Sequence, residues 1–269
     1  MNPLNKQLII FFLLAYGLAW VAWSPLILSQ TGLDILPFTV PMPFVIFGTY
    51  APFAAALLTQ RITEGNWKAF HFYFNWKYLL IGLLGGAIII AVSFVILPSL
   101  ALTTSSFTAW NWFAFTSYPL GIAYNLLMAG PVGEEPGWRG YALPRLEKLY
   151  GAILGSLILG LLWFGWHLPL FLIPTWTSSA PLAYALLVIG LAFVMTFSFN
   201  LSRGSVITAI LLHSAFNSSS VVLGGFLEKA ETRDYPSAEV VLAGSFILTA
   251  LILIIATGGQ LGRRKEKSF

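Results

Sequence analysis

The chain has 269 residues, of which 58% are hydrophobic and only 9% charged, with a mean hydropathy of +0.82. A soluble domain carries roughly a quarter charged residues, so this composition excludes a water-soluble globular protein. The absence of cysteine excludes a thiol nucleophile, a thiolate metal site and any disulfide. The formal charge of +4 does not point to nucleic acid, because the basic residues are not gathered on one soluble face.

In chain order, the apolar runs predict helices over Gln7–Leu28, Pro43–Gln60, Leu79–Leu100, Ser117–Ala129, Gly151–Ile173, Leu182–Asn200, Ser205–Leu223 and Val240–Thr257. No Asp, Glu, Lys or Arg falls from Tyr78 to Gly133, Leu149 to Ser202, Gly204 to Leu227, or Val240 to Gly262. Runs of about 20 apolar residues cross the hydrocarbon core as helices, which satisfy their own backbone hydrogen bonds. The N-terminus does not read as a cleavable signal, because Lys6 is its only basic side chain and no small-residue cleavage site follows. It is read as the first span. The expected fold is therefore an all-α integral membrane protein, a polytopic bundle of about eight transmembrane helices forming one domain over 1–269.

Basic residues on the connections orient such a bundle. With the N-terminus inside, the cytoplasmic side receives Lys6, Arg61, Lys68, Lys77, Arg139, Arg145, Lys148, Arg203, Arg263, Arg264, Lys265 and Lys267, and the outer side only Lys229 and Arg233. Both termini are expected in the cytoplasm, and the Arg263–Lys267 run beside anionic lipid. Trp20, Trp23, Trp67, Tyr78, Trp110, Trp112, Tyr118 and Trp176 near predicted helix ends read mostly as interfacial anchors.

Ionisable groups inside spans are costly and mark function by default. Glu134, Glu135 and Arg139 follow the fourth predicted span, His167 lies in the fifth, and His213 and Asn217 in the seventh. His71 reads as a solvated side chain on a connection. Glu135 and Arg139 are four apart, in the favourable order for an ion pair, and His213 and Asn217 share one helix face. Glu134 points about 100° away from Glu135 on a helix, which leaves it free for chemistry. Pro136 should push Glu135 out of the helical region, as a kink or a fresh helix start. A carboxylate in a low-dielectric pocket can act as general base on water, with an imidazole holding the same water or a metal. A second imidazole and an amide can donate to an oxyanion. Plainer readings exist: a histidine bonded to a neighbouring carbonyl, His213 with Asn217 as an interhelical clamp, and Glu135 with Arg139 as support.

Glu134-Glu135-x-x-x-Arg139, the aromatic-to-histidine spacing of Trp163 and His167, and His213-x-x-x-Asn217 together resemble the three motifs of the CAAX prenyl protease and bacteriocin-processing (CPBP, or Abi) intramembrane proteases. The string Glu-Glu-Pro-Gly-Trp-Arg-Gly-Tyr over 134–141 is similar to many bacterial members, and Trp163 stands where Phe is commoner. The resemblance implies catalytic core helices over 117–224 and a site opening to the cytoplasm from a bacterial plasma membrane. It implies Glu134 as base with His167 assisting, His213 and Asn217 stabilising the oxyanion, and Glu135 with Arg139 bracing the site. Glu134, His167 and His213 could instead hold zinc or another divalent metal, although direct water activation is preferred. The implied partners are membrane lipids and a membrane-associated protein or peptide, prenylated or not. The alternatives are a non-enzymatic binding or bacteriocin-immunity protein that keeps the fold, a proton-relay transporter, and a bis-histidine haem protein.

Overall fold

The computed structural model describes residues 2–70, 72–73, 76–86, 88, 112–128, 130–177, 179–224 and 238–263. His71, Ala129, Lys229, Arg233, Arg264, Lys265, Lys267 and most of the third expected span lie outside these residues. Every regular element among the described residues is helical.

Helix α1, Pro3–Leu28, opens on Asn2, whose side chain accepts from the Leu4 N–H at 2.9 Å. Pro3 fits there because a first helical position has no use for an N–H. Phe11, Ala15, Ala19 and Trp23 form a fully buried stripe along α1, while Leu13 and Val21 are largely exposed on the other side. One face meets helices and the other suits lipid, and the two alanines permit close approach. A 3-10 turn at Met42–Phe44, α2 (Val45–Thr49) and α3 (Ala51–Glu64) make one apolar run from Met42 to Glu64. This run lies antiparallel to α1: Gln7 donates to Glu64 at one end, and the Trp23 indole donates to the Val45 carbonyl at the other.

Helix α4 is described over 79–86, and α5 is Trp112–Met128. Helices α6 (Pro131–Glu135) and α7 (Leu143–His167) are joined through a π-helical turn at Pro136–Ala142. A 3-10 turn at Leu168–Leu172 follows, then α8 (Pro181–Leu201), α9 (Val206–Gly224) and α10 (Ala238–Ala256). Helix α5 packs on α9, and α8 lies against both α7 and α10.

The apolar run from Pro131 to Leu172 is 42 residues long, about twice what one crossing needs. Gly151, at φ 78 and ψ 173, divides it. Gly155 faces the backbone of Leu146 and Glu147, and Trp163 reaches Glu134, so the two arms run antiparallel side by side. The first arm, Pro131 to Tyr150, is roughly 30 Å long, which is the thickness of the hydrocarbon core. The fourth expected helix, Ser117–Ala129, is present to Met128 as α5, but the expectation that the acidic motif is left at the inner surface beyond it is corrected here. The motif opens a membrane-length arm of its own, because its charges are sequestered by partners within the bundle and do not end the crossing. The predicted boundary at Gly151 coincides with the turn between arms.

Pro136 also behaves differently from expectation. Glu135 (φ −66, ψ −33) and Pro136 (φ −58, ψ −37) are both right-handed helical. The change to the wider π register, seen in the Leu143 N–H donating to the Trp138 carbonyl, accommodates a residue that lacks a donor.

One end of the bundle is polar. Gln7 bonds both Glu64 and Arg145, and the Asn200 amide donates to Glu147 at 2.6 Å and to the Leu261 carbonyl. Arg263 donates to the Glu147 carbonyl, and Ser205 to that of Tyr73. The start of α1, the end of α3, the Gly151 turn, the α8–α9 turn and the chain after α10 therefore meet at one level.

Candidate active site

Near the other end, α6 and the π turn place three charged groups in the interior. Glu135 and Arg139 are fully buried, and Glu134 is 3% exposed. The wider π register keeps Glu135 and Arg139 in contact: Nη1 of Arg139 lies 3.0 Å from each carboxylate oxygen of Glu135. The guanidinium also sits 4.2 Å from the centre of the Trp163 ring, a cation–π contact in a site shielded from water.

The antiparallel second arm supplies Trp163 and His167. The Trp163 indole N–H donates to Oε2 of Glu134 at 2.8 Å. Nδ1 of His167 lies 2.8 Å from the Trp163 carbonyl. A carbonyl can only accept, so Nδ1 carries the proton and Nε2 is left with a lone pair. The imidazole is enclosed by Trp166, Tyr184 and Trp176, with the Trp176 ring stacked on it at 5.7 Å and 25°. Helix α9 contributes His213, whose Nδ1 donates to Oε1 of Glu135 at 2.8 Å. Its ring meets the Trp163 ring edge-on at 5.3 Å.

Glu134, His167, His213 and Asn217 line a single cavity of about 370 Å³. The sequence-predicted site residues are thus brought together, but in a different pairing. Ligand atoms of Glu134, Glu135 and His213 lie within 4.8 Å of one another, a group that could hold a metal by distance, and His167 is not part of it. The expected ligand set of Glu134, His167 and His213 is not the one that gathers. Nor do the donors in the gathered group suit an ion well. Glu135 already serves Arg139 and His213, and Oε2 of Glu134 is engaged by an indole.

Three participants were not visible as such in the sequence. Trp163 was expected only as the aromatic residue four before His167, and its N–H on Glu134 is an added role. Trp176 was read as an interfacial anchor, yet it lies on His167. Tyr184 is an ordinary aromatic in an apolar helix and carried no signal. Trp23 also departs from the anchor reading, being fully buried with its indole bonded to Val45. Trp67 is 57% exposed, as an anchor should be.

Residues 116–219 match the model of the family described as Type II CAAX prenyl endopeptidase Rce1-like. That stretch holds Glu134, Glu135, Arg139, Trp163, His167, His213 and Asn217. The chain is also 26% identical over 188 residues to CAAX prenyl protease 2 of Methanococcus maripaludis, an alignment covering 62% of this chain and 65% of that relative. Together they support a CAAX protease type 2-like family for the chain, in agreement with its motifs.

Proposed function

We propose that the protein is an intramembrane endopeptidase that hydrolyses a peptide bond of a membrane-associated protein or peptide with water activated by Glu134. The observation that carries this reading is the gathering of Glu134, His167, His213 and Asn217 around one largely apolar cavity. Glu134 takes a proton from water, and the resulting hydroxide attacks the scissile carbonyl. Trp163 holds Oε2 of the base in place, which leaves Oε1 for the water. The lone pair on Nε2 of His167 accepts the second hydrogen bond of that water. His213, held through Nδ1 by Glu135, and the Asn217 amide stabilise the oxyanion by hydrogen bonding. The proton held by Glu134 then passes to the leaving amine. Arg139 holds the Glu135 carboxylate in place.

Water activation here needs no metal. Full-chain enzyme in detergent should keep its activity after dialysis against a chelator, and loss that zinc restores would overturn that part. The main test is Glu134→Gln, assayed on panels of prenylated and unprenylated peptides. The substitution keeps the shape, removes the base and should lower cleavage by at least about 10²-fold with no change in thermal unfolding. Undiminished cleavage would return the chain to the class of non-enzymatic binding or immunity proteins.

A further inference from the structure

The charge rule that orients the termini can be applied to the folded chain, and it then speaks about the cavity. Among the described residues, Lys6 begins α1, Arg61 and Lys68 lie at and beyond the end of α3, and Lys77 precedes α4. Arg145 and Lys148 precede the Gly151 turn, Arg203 is in the α8–α9 turn, and Arg263 follows α10. The hydrogen bonds among Gln7, Glu64, Arg145, Glu147, Asn200 and Arg263 tie these ends into one polar face.

The cavity lies at the opposite end. Its wall includes Trp23, which is 16 residues beyond Gln7 on α1 and hence about 24 Å along the helix axis. It also includes Met42 and Pro43 at the start of the second apolar run, His167 at the end of α7, and Tyr184 in the first turn of α8. The described residues at this end, 29–41, 167–177 and 219–224, contain no Lys or Arg. In sequence, the 225–237 connection adds Lys229 and Arg233, two basic residues against the eight named at the basic end. Tyr124 and Met128, 60% and 51% exposed, line the cavity together with Pro43, so it opens sideways between α5 and the start of the second run.

We propose that this cavity lies in the extracytoplasmic half of the membrane and is entered laterally from the outer leaflet. Its substrate is then an exported peptide or an outward-facing segment of a membrane protein, whose scissile bond never reaches the cytoplasm. A basic end held inside by its Lys and Arg residues puts the other end, and the cavity with it, outside. A cytoplasmic prenylated C-terminus would have no route to Glu134. The word substrate rests on the hydrolase reading above, whereas the sidedness of the cavity does not.

The chain has no cysteine, so single-cysteine variants report sidedness without a background. Leu33→Cys and Thr39→Cys lie at the cavity end, and Trp67→Cys and Tyr150→Cys at the basic end. All four positions are exposed, and none changes the charge balance. In intact cells a membrane-impermeant maleimide should label the first pair, and the second pair only after lysis, each normalised to labelling of denatured protein. The reverse pattern, or labelling of both pairs in intact cells, would overturn the proposal. For the substrate, a peptide cleaved by the purified enzyme is placed on the outer or the inner side of a single-span reporter in cells. Cleavage of the outer reporter alone is expected. Cleavage of the inner reporter overturns the sidedness, while equal turnover by the Glu134→Gln enzyme overturns the hydrolase reading instead.

Discussion

At the scale of single residues, the site turns on how a buried carboxylate is held. A carboxylate has several acceptor directions, and one that rotates freely is a poor base. Trp163 removes that freedom by donating to one oxygen, a bond that a phenylalanine cannot make. Trp163→Phe should therefore lower kcat/KM roughly 10- to 100-fold, from the ~1.5–3 kcal/mol of a hydrogen bond to a charged group. The loss should fall on kcat, with KM and the unfolding temperature nearly unchanged; an effect on KM alone would make the ring a binding wall. The Glu135–Arg139 pair is structural in a stricter sense. Arg139→Ala leaves an uncompensated buried charge and should cost about 3–5 kcal/mol, read as a lower unfolding temperature in detergent. Adding Glu135→Gln to Arg139→Met should recover most of the stability. If it does not, Arg139 acts through its packing on Trp163 rather than through its charge.

At the scale of elements, the π turn and the antiparallel arms do the positioning. The π turn carries Arg139 in contact with Glu135 and brings Gly137 against α3. A Cβ on Gly137 would stand 2.4 Å from the Pro52 carbonyl oxygen, which is backbone and cannot swing aside. Gly137→Ala should thus separate α3 from the motif, costing roughly 1–3 kcal/mol and most of the activity. Gly17 in α1 has nothing within 4 Å of the same atom, and Gly17→Ala should leave unfolding and activity unchanged or slightly improve stability by about 0.5–1 kcal/mol. Equal behaviour of the two variants would show that helix propensity, not close approach, sets the effect. The motif residues were legible because their chemistry is rare in apolar sequence and their spacings are regular. The element that carries them was not. A helix that buries Glu134, Glu135 and Arg139 reads as a polar break, and only the pairing of Glu135 with Arg139 and the Trp163 bond to Glu134 show it to be part of a crossing.

At the scale of the whole molecule, the membrane class, the helical composition and the uneven placement of Lys and Arg follow from the order of residues alone. Apolar length and charge position act locally, and lipid leaves a backbone little choice but a helix. The Glu134, His167, His213 and Asn217 constellation was likewise foreseeable as a set, because few polar groups were available to form it. What depended on folding was which of them touch. His213 sits beside Glu135, His167 is pinned by a carbonyl within a box of aromatic rings, and Trp163 rather than a histidine holds Glu134. The distance of the cavity from the basic end also depended on folding, since it follows from the reversal at Gly151. That reversal carries the second arm back past the first, and contacts between residues about 30 positions apart in sequence have no local signature from which they could be read.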